Sequence, residues 1–263
     1  MARNLYAHRD LIWRFALRDV QGRYKGSYLG MLWSFITPLL MLSVYTFVFG
    51  VVLRTRWDGQ TGNGSLEFSL IMFSGLIVFS VFSDCLARAP ALIIGSPNYV
   101  KKVVFPLEVL PASVLVSSLI QAGISLAVLL AGSMVFLGRL SVTLVYFPMV
   151  LLPLVMLTLG LAWFLASLGV FVRDIAPAVS IALTILIFVS AVFYPVSAIP
   201  ESVRWCITLN PIALIVDDAR RTLMFGQPPH WVRLPLTTAA SALVLQLGYM
   251  WFMRSKRWFS DVI

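Results

Sequence analysis

Charge, cysteine and histidine are all scarce in this 263-residue sequence, and each scarcity removes a class of function. Only 12% of residues are charged, about half the share typical of a soluble globular domain. Two cysteines, Cys85 and Cys206, give no disulfide framework and no metal-ligand spacing. Two histidines, His8 and His230, lie too far apart in the chain to suggest a catalytic or metal-binding pair. No G-x-x-x-x-G-K-[ST] segment occurs. The stretch GRYKGSYLG (22–30) is basic and glycine-containing, yet lacks the spacing that cradles phosphate. Ionisable residues are nearly missing from the apolar runs, which argues against an ion-coupled carrier and leaves energy to come from another subunit.

What is abundant is hydrocarbon. Hydrophobic residues make up 60% of the chain, and the mean hydropathy is +0.91. Apolar runs predict spans over 30–53, 68–85, 107–137, 142–172, 175–195 and 234–253, the third interrupted only by Glu108. A hydrocarbon core of roughly 30 Å takes about 20 helical residues. The runs are continuous rather than alternating, so they predict helices and not barrel strands. The expected fold is an all-α membrane protein with six transmembrane helices.

Net charge of +9 would suit nucleic acid, but its distribution suits membrane orientation. Six spans put both termini on one side. That side would carry 13 of the 20 Lys and Arg, and the other side 7, four of them in the last external connection. Lys and Arg concentrate on the cytoplasmic face, so both termini are expected there and nucleic acid is not expected as a partner. No cleavable signal peptide is expected, because the first apolar run is too long for one and lacks a cleavage pattern.

Residues 1–29 predict a cytoplasmic amphipathic helix. Arg14, Arg18, Gln21 and Lys25 fall in one stripe, with Ile12, Phe15, Ala16 and Val20 opposite. Asp10 with Arg14, and Asp19 with Arg23, stand at i,i+4. Asp19 and Arg23 lie on the apolar arc, so that arc should meet protein. Two connections hold further structure. The cytoplasmic one predicts a short helix after Pro90, broken at Gly95-Ser96-Pro97. The external one predicts two short helices within 200–226, divided by Asn210-Pro211 and re-entrant or interfacial.

The segment LIWRFALRDVQGRYKGSYLGMLWSFITPLLML resembles the opening region of type-2 ABC-transporter permeases, and more closely the membrane subunits of bacterial polysaccharide exporters. The matching features are Arg18-Asp19, Arg23-Tyr24, Ser27, Leu29-Gly30, Trp33 and Pro38. FPLEVLP (105–111), YPVSAIP (194–200) and Asn210-Pro211 with Arg220 follow in order. The resemblance implies that the N-terminal helix docks on a separate ATPase, and that residues 88–98, with Arg88, Pro90, Ser96 and Asn98, form a coupling helix. It implies gate helices carrying Asn210, Pro211, Asp217 and Arg220. It further implies a homodimer with two ATPase subunits, which hold the ATP and Mg²⁺, and a lipid-linked polysaccharide as cargo. No cofactor or metal is expected in this chain itself.

Within that resemblance, Arg14, Arg18, Asp19, Arg23, Tyr24 and Lys25 are candidates to meet a lipid pyrophosphate, as Arg suits phosphate geometry. Sugars stack their C–H faces on aromatic rings, and Trp33, Tyr45, Phe79, Phe82, Trp163 and Tyr194 are candidate rungs. O-antigen is the favoured cargo, with capsule or teichoic acid as the alternative. A drug or haem exporter fits less well, because the connection 54–67 is too short for the large domain such proteins carry there. A lipid-linked sugar transferase would need clustered carboxylates or His, and only Asp217-Asp218 qualifies loosely.

Overall fold

The computed structural model describes residues 1–23, 25–52, 64–101, 105–138, 140–195 and 200–262. Tyr24, Lys102, Arg139, residues 54–63 of the first external connection and the middle of the YPVSAIP stretch lie outside the described residues.

Every regular element among the described residues is helical. The N-terminal segment comprises α1 (Ala2–Ala7) and α2 (Arg9–Arg23), separated at His8. Gly26 and Gly30, at φ 88° and 48°, then turn the chain towards the bilayer, in a backbone region only glycine occupies without strain. The first span is composite: a 3₁₀ turn at Gly30–Leu32, α3 (Trp33–Tyr45) and a π-helical end at Thr46–Val52. Next come α4 (Gly64–Arg88), the short α5 (Pro97–Lys101), α6 (Val109–Leu137) and α7 (Phe147–Phe171). The chain closes with α8 (Ile175–Val189), α9 (Glu201–Thr208), α10 (Pro211–Leu223), α11 (Arg233–Ser255) and α12 (Phe259–Val262).

Among the described residues, five helical stretches are long and apolar enough to cross a membrane: 30–52, 66–91, 109–137, 142–171 and 233–258. The expected fifth span is shorter than the sequence pattern suggests. Helix α8 has 15 residues, or about 22 Å at 1.5 Å per residue. It stops at Ser190, and Ala191 follows at φ 51°. Both ends of the chain lie at one end of the bundle, because Asn4 and Lys256 both donate to the Glu108 carboxylate.

Helix α4 is the central post. In its most apolar stretch 72% of residues are buried, against 11% for the first span, which lies at the periphery. Helices α7 and α11 form the tightest seam. A Cβ on Gly248 would come within 2.0 Å of the Gly160 carbonyl oxygen, and one on Gly160 within 2.6 Å of Leu245 Cα. Lipid tails are as apolar as leucine, so such close backbone approach is what holds helices together in a bilayer.

The expected pair of external helices forms as α9 and α10. Asn210 caps α10, its Oδ1 accepting from the Ile212 N–H at 3.0 Å, and Pro211 occupies the first turn where no N–H is needed. The segment expected to form a coupling helix differs from that expectation. Only a 3₁₀ turn, Ala89–Ala91, follows α4, and Pro97 opens α5 instead of ending a helix. Proline at a helix start explains both, since its fixed φ suits the first turn but no later one.

Candidate functional site

At the end of the bundle that holds the termini, four charged side chains interlock. Arg88 donates through both terminal nitrogens to the Asp19 carboxylate, Nη1 to Oδ2 at 2.9 Å. Ser117 Oγ adds a bond to Asp19 at 2.6 Å. Arg23 Nη2 donates to Asp84 Oδ2 at 2.6 Å, and Ser118 Oγ reaches the same atom at 2.5 Å. Helix α2 is thereby tied to α4 and α6 by its polar residues. Burial raises the Asp19 pKa, but hydrogen bonds from Arg88 and Ser117, with the charges of Arg88 and Arg23, outweigh it and hold the carboxyl below 3.8. The expectation that Asp19 and Arg23 face protein is met. The predicted Asp10–Arg14 pair is replaced by a looser Asp10–Arg9 contact at 4.0 Å.

This interlock sorts the basic candidates. Arg23 and Arg88 are neutralised by carboxylates, whereas Arg14 and Arg18 are exposed and have no ion pair among the described residues. Beside the cluster opens a cavity of about 780 Å³, lined by Arg18, Asp19, Arg23, Asp84, Arg88 and Ser96 among others. The segment from Arg88 to Tyr99 shares its wall. Tyr99 of α5 stacks on Phe105 with centroids 4.6 Å apart and meets Phe15 of α2 edge-on at 5.7 Å. Pro90 presses its backbone on Gly169, where an added Cβ would come within 2.2 Å of the Pro90 oxygen. Asn98 lies within α5, and Ser96 is half-buried just ahead of it.

A second knot centres on Glu108, whose role at this end was not legible from sequence. Its carboxylate is buried and accepts from Asn4 Nδ2 at 2.7 Å and Lys256 Nζ at 2.8 Å. Its backbone oxygen accepts from Trp163 Nε1 at 3.0 Å. Desolvation raises the carboxyl pKa, and the bonds from Lys256 and Asn4 with the Lys256 charge reverse the balance, leaving it below its usual 4.5.

At the opposite end, Arg220 is fully buried and donates to three backbone oxygens. They are Ile71 at 3.4 Å, Ala191 at 2.8 Å, and Val192. Ile71 lies seven residues into α4, about 10 Å below that helix end. Arg220 therefore fills the opening left where α8 stops short, covered by protein as buried backbone at this depth must be. Asn210 Nδ2 donates to Ser190 Oγ at 2.9 Å, so α10 is held to the end of α8 at two points. Nearer the surface, Asp217, Asp218 and His230 place one ligand atom each within 4.8 Å of one another. Arg233 Nη2 lies 2.7 Å from Asp217, so a guanidinium already supplies the positive charge that a metal would bring.

A family model described as "ABC-2 type transporter" matches residues 10–224. The chain belongs to the ABC-2 type transporter family. It is 31% identical over 265 residues to the O-antigen export system permease protein RfbA of Myxococcus xanthus, covering 100% of this chain and 99% of that one. A protein of the same name from Klebsiella pneumoniae is 28% identical over 218 residues, 82% of this chain and 81% of its own length. The inner membrane transport permease YadH of Escherichia coli K12 is 24% identical over 198 residues, 71% and 74% of the two chains.

In this ABC-2 chain the aromatic candidates divide. Trp163, Phe79 and Phe82 are buried, with the Trp163 indole edge-on to Tyr249 at 5.0 Å and bonded to Glu108. They are packing residues, not exposed rungs, and the expectation is corrected for them. Trp33, Tyr45 and Tyr194 are partly exposed, and Tyr194 donates its hydroxyl to the Phe188 carbonyl. An apolar span gives no polar face from which to read which aromatic turns inward, so nothing in the sequence separates the two groups.

Proposed function

We propose that this chain is the permease half of an ATP-driven exporter that moves a lipid-linked polysaccharide, O-antigen in class, across the bacterial inner membrane. The observation that carries this reading is the whole-length match, at 31% identity, to an O-antigen export permease. The chain is a transport subunit. Two copies form the conduit, and two separate ATPase subunits bind ATP and Mg²⁺. Both termini are cytoplasmic, in keeping with the excess of Lys and Arg at that end. Helix α2 and the segment 88–101 form one surface, joined through Asp19–Arg88 and Phe15–Tyr99, which supports a single docking face for the ATPase. Arg14, Arg18 and Lys25 are exposed, Arg18 on the cavity wall, and steer the lipid pyrophosphate. Helices α9 and α10 border the outer mouth, with α10 fixed by Arg220 and α9 more exposed.

Deleting the gene in the native host and restoring it on a plasmid is the direct test. Surface polysaccharide should vanish and return, with undecorated lipid-linked chains accumulating inside. Unchanged surface polysaccharide in the deletion strain would defeat the reading. A teichoic or capsular polymer lost in place of O-antigen would shift the cargo within the same class. A transferase reading gains nothing from Asp217-Asp218, because Arg233 and His230 occupy that carboxylate pair.

A further inference from the structure

Between the first three membrane helices lies a second cavity, of about 250 Å³, walled by Thr37, Tyr45, Phe73, Ser80, Gln121 and Ser125 with apolar neighbours. It sits midway along the bundle and opens at its side, with Thr37 and Ser80 exposed. Gln121 and Ser125 are twelve and sixteen residues into the 29-residue α6, roughly 18 and 24 Å from its start. Hydroxyl and amide groups at that depth have no partner in hydrocarbon.

The bonding of these groups has a definite sense. Ser80 Oγ donates to Ile77 O at 2.8 Å, and Ser125 Oγ to Gln121 O at 3.2 Å. Gln121 Nε2 donates to Ser34 O at 3.1 Å. The serine donors thus point at their own helices, while each hydroxyl oxygen keeps lone pairs able to accept. A lipid tail has nothing to donate to such a wall. A sugar ring presents several hydroxyl donors on its edge and C–H faces to Tyr45, the partly exposed ring of this wall.

One row of polar residues on α6 runs from the basic cavity to this crevice, with Ser117 between them buried and bonded to Asp19. Ser113 lines that cavity, and Ser117, Gln121 and Ser125 follow along α6 at intervals of four residues. From Ser113 to Ser125 the helix rises about 18 Å. We propose that the crevice between the first three spans binds a sugar ring of the exported chain, one lying close behind the phosphate held at the cytoplasmic cavity. The crevice selects the sugars nearest the lipid linkage, and this inference rests on the export reading above. The peripheral, sparsely buried first span gives the ring its way in from the side.

Photo-crosslinking in intact cells tests it. A benzophenone amino acid is placed at Thr37, at Ser125 and, as control, at Val135, which is 75% exposed on the far part of α6. Purified adducts are probed with sugar-specific stain and by mass spectrometry. Polysaccharide bound at 37 and 125 but not at 135 is expected, and Ser80→Ala with Ser125→Ala should cut export at least fivefold while the yield of assembled ATPase complex stays unchanged. Phospholipid as the only adduct at 37 and 125, in cells that still export, overturns the crevice proposal and leaves the export reading intact. Surface polysaccharide that does not depend on this chain overturns both.

Discussion

Glu108 and Lys256 stand 148 residues apart in sequence and 2.8 Å apart in space, with Asn4 closing the carboxylate from the other side at 2.7 Å. One buried acid therefore fastens both ends of the chain to the start of α6. Glu108→Ala would leave the Lys256 ammonium without its partner, and Glu108→Gln would keep the shape but lose the charge. Removing one member of a buried pair costs about 3–5 kcal/mol. Lys256 keeps 28% of its side-chain surface exposed, so about 2 kcal/mol is the expected loss for the alanine variant and less for Gln. Thermal unfolding of the detergent-solubilised protein checks it. An unchanged midpoint for Glu108→Ala would mean that the clamp carries no load.

How far the sequence foretold such features depends on their range. The start of α10 was legible because Asn210 and Pro211 are a local cap signal. The protein-facing side of α2 was legible because Asp19 and Arg23 interrupt an apolar arc. Glu108 was visible only as a lone acid in an apolar run, since its partners lie 104 and 148 positions away. The end of α8 was hidden for another reason. Ala191 takes a left-handed backbone without the glycine that usually announces one, and Arg220, from a later helix, supplies the bonds that hold it there. Aromatics in an all-apolar span were misassigned because inward and outward faces have the same composition.

Asp19 predicts a pH dependence with a definite sign. Its folded-state pKa lies below the ordinary 3.8. The stabilising contribution is therefore fully present above the unfolded value and is lost as pH falls through the folded one. Hydrogen exchange of α2 amides should be flat from pH 7 to 5, after correction for intrinsic rate, and should accelerate only below about pH 4. Asp19→Asn should release α2 at neutral pH. The cost is about 1–2 kcal/mol, since Asp19 and Arg88 retain 26% and 31% side-chain exposure and solvent screens them. Protection unchanged in Asp19→Asn would show that rings such as Phe15 hold α2 without the ion pairs.

Arg220 predicts an intolerant position. Its guanidinium spreads donors over Ile71, Ala191 and Val192, a planar fork that a single ammonium cannot reproduce. Arg220→Lys should lose export nearly as completely as Arg220→Met, and the Lys variant should express poorly, because a buried charge short of acceptors costs several kcal/mol. Gly75→Ala should act on the same point from the other side, as its Cβ would come within 2.7 Å of Arg220 Nη2. Export and membrane-inserted protein level, measured together, separate loss of function from loss of folding. Wild-type export in Arg220→Lys would show that one donor suffices.

The Gly160–Gly248 crossing gives the sharpest packing prediction. Neither glycine has room for a methyl group: Cβ at 248 would meet the Gly160 oxygen at 2.0 Å, and Cβ at 160 would meet backbone of Leu245 and Val244 at 2.6 Å. The atoms in the way are main chain, so no side-chain rotation can relieve the overlap, and α7 and α11 must move apart. Overpacking of this kind costs about 1–3 kcal/mol, and the wider seam would also pull Tyr249 from Trp163, whose Nε1 donates to the Glu108 carbonyl. Gly248→Ala should lower the unfolding midpoint and loosen the end of the bundle that holds the termini, seen as faster proteolysis near Lys256. Gly123→Ala, with nothing within 4 Å of its added carbon, should be neutral in the same assay. Equal behaviour of the two variants would mean that the seam between α7 and α11 is not held by backbone contact.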